Sequence, residues 1–127
     1  MATPKDLKFS KTHEWVKFLD DKTAQTGLTD FAQKSLGDLV FIGMPAVGDS
    51  VSAGKSFADV ESVKAVSEIN SQVSGKITAV NNDVGDDPKK INDDPYGSWI
   101  IKVGDISGKS DLMDADAYDK FCEEEAH

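Results

Sequence analysis

Two similar phrases, Val51-Ser52-Ala53-Gly54-Lys55-Ser56-Phe57-Ala58-Asp59-Val60 and Val73-Ser74-Gly75-Lys76-Ile77-Thr78-Ala79-Val80, stand on either side of residues 61–68. Each reads as strand and turn, so their repetition about a short centre points to a small β-sandwich with internal pseudo-symmetry. Across the centre, Val60, Val63, Val66 and Ile69 recur every three residues, a period that fits neither strand alternation nor a sustained helix. A turn over 62–65 reconciles the spacing, with Val60 and Ile69 on opposite arms of a hairpin. At its tip stands Lys64, in the uncharged triplet Val63-Lys64-Ala65, with Glu61 three residues before it and Glu68 four after.

The other apolar runs also have strand length. Residues 1–8 read as a loose lead-in. Trp15-Val16-Lys17-Phe18-Leu19 has strand character, Asp20-Asp21-Lys22-Thr23 is the turn after it, and residues 24–28 complete a hairpin. Thr29 and Asp30 suit a helix N-cap, and apolar groups at 31, 32 and 36 ahead of Gly37 predict a two-turn helix. Leu39-Val40-Phe41-Ile42, bounded by Gly37-Asp38 and Gly43, is the pattern of a buried strand, ended by Pro45. Residues 81–95 hold Asp83, Gly85, Asp86, Asp87, Pro88, Asp93, Asp94 and Pro95, which predicts a loop with one helical turn after Pro88. Trp99-Ile100-Ile101-Lys102-Val103 is the last strong strand, closed by Gly104-Asp105. Beyond Ser107, an Asp114 cap precedes Tyr118, Phe121 and Cys122 at helical spacing, predicting a C-terminal helix. Its acidic end, Glu123-Glu124-Glu125, opposes the macrodipole and is expected to fray after Cys122.

With 127 residues, 39% of them hydrophobic, the chain supports one domain with a single core over about 9–104 and a helical segment over about 111–125. A net charge of -9 repels nucleic acid and anionic membrane and favours partners with basic docking faces. Cys122 has no partner for a disulfide, and His13 and His127 are too few for a zinc cluster, so no metal is expected. The first residues carry no apolar or Arg-rich targeting segment, and no long apolar span follows.

Catalytic signatures are absent. No phosphate-cradling Gly-x-Gly-x-x-Gly or P-loop occurs; Gly43, Gly48 and Gly54 are spaced for turns. Cys122 falls on the apolar stripe of the last helix and reads as a small buried hydrophobe, while His13 reads as a structural hydrogen-bonding residue. The pairs Asp86/Asp87 and Asp93/Asp94 lack calcium-loop spacing and read as surface. On spacing alone Lys64 is best explained as a solvated turn residue.

Read with its neighbours, Glu61-Ser62-Val63-Lys64-Ala65 resembles the lipoylation site of the glycine cleavage system H protein family. Other segments agree in order: His13-Glu14-Trp15-Val16, Gly27-Leu28-Thr29-Asp30-Phe31-Ala32-Gln33, Leu36-Gly37-Asp38-Leu39-Val40-Phe41, Val73-Ser74-Gly75-Lys76-Ile77, Ile91-Asn92-Asp93-Asp94-Pro95-Tyr96-Gly97, and Trp99 with Ile100-Ile101-Lys102. The likeness covers about residues 7–122.

The resemblance implies a mostly β fold, the barrel-sandwich hybrid of lipoyl domains, with two antiparallel sheets, short helices, a helical C-terminus and the lysine at an exposed hairpin tip. It implies lipoate joined to Lys64 by an amide bond. The dithiolane is opened reductively, takes an aminomethyl group on one sulfur, releases it, and is left as a dithiol to be reoxidised. The implied partners are a pyridoxal-phosphate glycine decarboxylase that loads the arm, a tetrahydrofolate-dependent aminomethyltransferase that unloads it, dihydrolipoyl dehydrogenase that reoxidises it, and a lipoate-attaching enzyme. The chain itself would be a monomeric, non-catalytic carrier. Glu61, Gly48 and Gly75 match positions that attaching enzymes read, and turn geometry alone accounts for the glycines equally well. Glu14, Thr12 and Glu68 match a cleft that holds the loaded arm: Thr12 stands where serine is frequent, and Glu68 where aspartate is frequent. The Tyr96-Gly97-Ser98-Trp99 link is shorter than in many members.

Two rivals share the tethered-lysine logic: a lipoyl-relay carrier of the same fold, and a lipoyl or biotinyl domain detached from a 2-oxoacid dehydrogenase complex or a carboxylase. The latter carry Asp-Lys-Ala or Met-Lys-Met, and Lys64 has neither flank. A plain unmodified β-domain that binds a protein is a third. A bacterial cytoplasmic location is expected, or the mitochondrial matrix for a processed chain.

Overall fold

A computed structural model describes residues 2–125. The chain forms, in order, β1 (Lys8–Phe9), β2 (Glu14–Phe18), β3 (Ala24–Leu28), α1 (Asp30–Leu36), β4 (Leu39–Gly43), β5 (Ser50–Val51), β6 (Ser56–Ser62), β7 (Val66–Asn70), β8 (Val73–Val80), α2 (Asn82–Asp86), α3 (Lys89–Asp93), β9 (Ile101–Lys109) and α4 (Ala115–Glu125). The strands make a six-stranded sheet in the order β1-β2-β3-β9-β8-β5 and a three-stranded sheet in the order β4-β6-β7, antiparallel throughout. This is the two-sheet architecture with short helices and a C-terminal helix that the sequence predicts.

The expected turn at 62–65 is present. β6 and β7 pair with Glu61 opposite Val66 and Ala58 opposite Ile69, and Val60 and Ile69 are both fully buried from their separate arms. They join Leu39, Ile42, Val73, Ile77, Ile91, Ile100, Ile101 and Val103 in the main core between the sheets. A second cluster, Leu7, Phe9, Trp15, Ala115 and Tyr118, attaches α4 to the outside of the β1–β2 edge. There Phe9 stacks on Tyr118 with ring centroids 4.6 Å apart. The α1 prediction holds in detail: the Thr29 hydroxyl caps the helix by accepting from Ala32 N–H, and Gly37 ends it at a φ of 83°.

Five expectations are corrected. The lead-in already contains β1, because Lys8 and Phe9 pair with Val16 and Trp15. The run at 39–42 is not a buried strand: a register shift between Leu39 and Phe41 turns Val40 and Phe41 outward, 57% and 53% exposed, and leaves Leu39 and Ile42 inside. The two repeated phrases take unlike places, since Val51 pairs with Gly75 in the large sheet while the following residues 56–60 cross to the small one. The loop at 81–95 holds α2 as well as the turn after Pro88, with Val84 driven into the core. Strand β9 runs past Gly104-Asp105 to Lys109, with Gly104 paired to Lys76.

The Gly104 region explains a glycine elsewhere. A Cβ at Gly75 would lie 2.4 Å from the Gly104 carbonyl oxygen and 2.8 Å from a Val103 methyl. Gly75→Ala is therefore expected to lower stability by about 1–3 kcal/mol through forced separation of β8 from β9. Gly48→Ala meets no atom within 4 Å but must hold a φ of 96°, a strain of about 1–2 kcal/mol. Urea midpoints of the two variants check both effects.

Candidate functional site

The hairpin tip that carries Lys64 is held rather than loose. Ser62 N–H donates to Ala65 carbonyl at 2.8 Å, and Ser62 Oγ accepts from the N–H groups of Ala65 and Lys64 at 3.0 and 3.3 Å. Val63 N–H donates to the Asp38 carbonyl at 3.0 Å, fixing the tip to the loop between α1 and β4. That loop is fixed in turn by Asn92 of α3, whose Oδ1 accepts from Leu39 N–H at 2.9 Å and whose Nδ2 donates to the Gly37 carbonyl and Gln33 Oε1, both at 3.0 Å. Sequence reasoning found Asn92 only as part of a resembling segment; an asparagine in a polar loop gives no sign that it organises a site far from it in sequence. The exposed Lys64 side chain lies over Gly37, where a Cβ would meet its Cε at 3.5 Å.

From that point a cleft of about 150 Å³ extends along α1. Phe31, Ala32, Ser35 and Leu36 form one wall, Ser67 and Glu68 of the edge strand β7 the other, and Thr12, His13 and Leu28 the remaining side. Its floor is apolar and its rim carries hydroxyls and one carboxylate. His13 holds a φ of 71°, stacks on Phe31 at 4.3 Å, and reaches Tyr118 OH through Nδ1 at 2.7 Å and Glu125 through Nε2 at 2.5 Å. Tyr118 OH also meets Thr29 Oγ1 at 2.6 Å, and burial holds its phenol well above the usual range. These bonds tie the last turn of α4 to the cleft wall, which is why α4 continues through Glu125 instead of fraying after Cys122. Cys122 is half-buried on the second cluster, with its thiol pushed up by burial. His127 lies outside the described residues.

Glu14, Thr12 and Glu68 take different places. Thr12 and Glu68 line the cleft, whereas Glu14, 1% exposed, lies beneath Thr12. The Glu14 carboxylate accepts from Thr12 Oγ1, from Ser10 Oγ at 2.7 Å, from Gln72 Nε2 at 3.0 Å and from Asn70 N–H at 3.2 Å. It thus joins the β1–β2 loop to the β7–β8 turn. Burial is the largest influence on it and raises its pKa above the usual carboxylate value, with the four donors opposing. A raised folded-state pKa stabilises the fold fully below the unfolded value of 4.5 and less as pH rises through the folded value. The stability difference between wild type and Glu14→Gln should therefore shrink as pH rises from 4.5, measured by chemical unfolding at each pH; a difference that grew would show the donors outweighing burial.

Glu61 is exposed on the small sheet beside the tip. Gly48 and Gly75 belong to the β4–β5 turn and to β8, where the local geometry described above already requires them. A larger concavity, about 410 Å³ and lined by Phe18, Asp20, Asp21, Ile106 and Lys109 among others, contains none of these residues. Among the described residues no group of three or more His, Cys, Asp or Glu could hold a metal ion, and no helix is long and apolar enough to cross a membrane.

Comparison with known proteins matches residues 7–125 to the family model described as "Glycine cleavage H-protein". The chain is 52% identical over 128 residues to the "Glycine cleavage system H protein" of Carboxydothermus hydrogenoformans, covering 98% of this chain and 97% of that one. It is 54% identical over 124 residues to the "Glycine cleavage system H protein 2, mitochondrial" of Arabidopsis thaliana, covering 95% and 79%. The crystal structure of a glycine cleavage system H protein from Mycobacterium marinum superposes with a TM-score of 0.87 at 35% identity, covering 98% of this chain and 99% of that one.

Proposed function

The chain belongs to the glycine cleavage H-protein family, and from that premise we propose that it is a non-catalytic carrier whose Lys64 bears lipoate in amide linkage. The observation that carries the reading is an exposed lysine on a fixed hairpin tip, opening onto an amphipathic cleft of about 150 Å³. Held on Lys64, lipoate would supply a dithiolane, whose thiol–disulfide chemistry suits the carriage of an aminomethyl group between glycine decarboxylase, the tetrahydrofolate-dependent aminomethyltransferase and dihydrolipoyl dehydrogenase. The protein's own residues position and protect. Phe31, Ala32 and Leu36 offer apolar cover for a hydrocarbon arm lying along α1, and Thr12 and Glu68 present a hydroxyl and a carboxylate to a cationic amine. Glu14 holds the Thr12 hydroxyl in place from below. A longer side chain at Glu68 than the frequent aspartate moves that carboxylate further from its strand.

The fixed tip restricts motion to the arm, which raises the local concentration of the carried group at whichever enzyme the body has reached. The net charge of -9 suits brief, electrostatically steered encounters with basic partner faces. Glu61, next to Lys64 on the small sheet, is the acidic residue best situated to be read by a lipoate-attaching enzyme, with Gly48 and Gly75 contributing through backbone geometry. Bacterial cytoplasm is the proposed compartment, with the mitochondrial matrix as the alternative, the latter because a relative named as mitochondrial also matches. Glycine-dependent exchange of carboxyl carbon, measured with lipoylated chain and added glycine decarboxylase, tests the reading: exchange that requires this chain supports it. Lipoylated chain that gives no exchange, yet is reduced by a 2-oxoacid dehydrogenase complex, overturns it in favour of a detached lipoyl domain.

A further inference from the structure

Gln72, 4% exposed in the turn between β7 and β8, is a buried amide whose polar atoms are all bonded. Its Nε2 donates to Glu14 Oε1 at 3.0 Å and to the Asn70 carbonyl at 3.4 Å, and its Oε1 accepts from Ser110 Oγ at 2.6 Å. Ser110 is held in turn, because its N–H donates to the Gln72 carbonyl at 2.9 Å. The reversed amide would set its oxygen against the Glu14 carboxylate, and Ser110, by donating to Oε1, keeps the NH2 end towards Glu14. Gln72 does not line the cleft. With Ser10, Asn70 and Ser110 it borders a separate concavity of about 270 Å³, and Thr12 lines both.

Two of the donors to Glu14, the Gln72 amide and the Asn70 N–H, can only donate, whereas Ser10 and Thr12 carry hydroxyls that can reverse. An ionised carboxylate denies them that choice. It only accepts, so the Thr12 hydrogen points inward to Glu14 and its lone pairs are left for the cleft. A proton gained by Glu14 would have to be donated to a hydroxyl, and Thr12 would then turn its own hydrogen outward.

Resting on the reading of Thr12 and Glu68 as the groups that receive the arm, we propose that Gln72 is a positioning residue that sets the specificity of the cleft: backed by Ser110, it keeps Glu14 an acceptor, so that Thr12 offers the arm lone pairs alone. Such a rim takes a terminal ammonium, which only donates, and turns away a terminus that needs a donor, such as an acyl carbonyl. Burial opposes the arrangement by favouring the neutral carboxyl, and the Gln72 bond is one of those that resist it. Gln72 acts through Glu14 and Thr12 and does not itself meet the arm.

The test uses the full lipoylated chain in a Cys122→Ser background, so that only the arm is alkylated. The reduced arm is capped either with 2-bromoethylamine, which leaves an ammonium, or with chloroacetone, which leaves a ketone, and the amide shifts of Thr12 and Glu68 report docking of each against pH. In wild type the ammonium arm should dock in preference to the ketone arm, and the preference should fall as acid protonates Glu14. In Gln72→Met, which keeps the length and loses both polar ends, the fall should come at higher pH, so that on the wild-type acid limb the preference is lower by roughly tenfold. Ser110→Ala should move the profile the same way and Ser110→Thr should restore it, and this pair serves if Gln72→Met does not fold. The Glu14 carboxyl carbon shift in chain without lipoate should move in step, a readout that needs no arm. Lys11, His13, Glu68 and Asp111, the other ionisable groups beside Thr12 and Gln72, are the same in every variant, so a difference between profiles belongs to Glu14. Equal docking of the two arms in wild type, or profiles and a Glu14 titration unchanged by the substitutions, overturns the role of Gln72 and leaves the cleft as the resting place of the arm. A wild type in which neither arm moves Thr12 or Glu68 overturns the cleft reading and this role with it.

Discussion

Lys64→Arg is expected to abolish lipoylation and, with it, all glycine-dependent carboxyl exchange, while leaving the unfolding midpoint within about 0.5 kcal/mol of wild type. The two halves of that result have separate causes. Arginine keeps the positive charge and length but cannot form the amide, and its guanidinium stays protonated at any pH a protein survives. The tip does not need the lysine: its bonds run through Ser62, Ala65, Val63 and Asp38, and Lys64 contributes only a backbone N–H to Ser62 Oγ at 3.3 Å. The assay is intact mass after coexpression with an attaching enzyme, followed by exchange with added decarboxylase. Residual modification in Lys64→Arg would place the attachment on another lysine.

Trp15→Ala is expected to do the reverse, keeping the reactive lysine and lowering the stability of the fold that presents it. Trp15 is 1% exposed, packs its ring against the bare Gly27, where a Cβ would come within 2.7 Å, and donates its indole N–H to the Pro95 carbonyl at 3.1 Å. Truncation opens a cavity in the cluster that joins β2 to α4 and costs about 3–5 kcal/mol. Against a total stability of roughly 5–15 kcal/mol that loss is severe. Urea unfolding should show a large fall in midpoint, and a fall under about 1 kcal/mol would mean that α4 and the loop after α3 do not depend on this side chain.

How much of this was legible in the sequence depended on how local each cause was. Helix α1 could be read closely because Thr29, Asp30 and Gly37 are its own punctuation and act within four residues. The hairpin could be read because the three-residue spacing of Val60, Val63, Val66 and Ile69 has no other simple solution. Strand β9 was cut short because Gly104 and Asp105 look like a turn, whereas Gly104 sits in the ladder opposite Lys76 and Asp105 takes up the irregularity with a φ of 51°. Val40 and Phe41 were misplaced because a continuous apolar run carries no record of the register shift that turns two of its members outward. The site residues could be proposed only by resemblance. Glu14 announces a carboxylate, but its donors come from positions 10, 12, 70 and 72, and nothing local in the sequence joins them. The cleft is assembled from the β1–β2 loop, β3, α1 and β7 in the same way, and His13 acquires its role from Tyr118 and Glu125, more than a hundred residues later.

The central claim is that one lysine among 14 is the tether. Its most direct test is peptide-level mass analysis of the chain purified after coexpression with a lipoate-attaching enzyme. The account predicts a single lipoyl-sized addition on the peptide containing Lys64 and none on any other lysine. An unmodified Lys64 peptide, or an addition spread over several lysines, would contradict it.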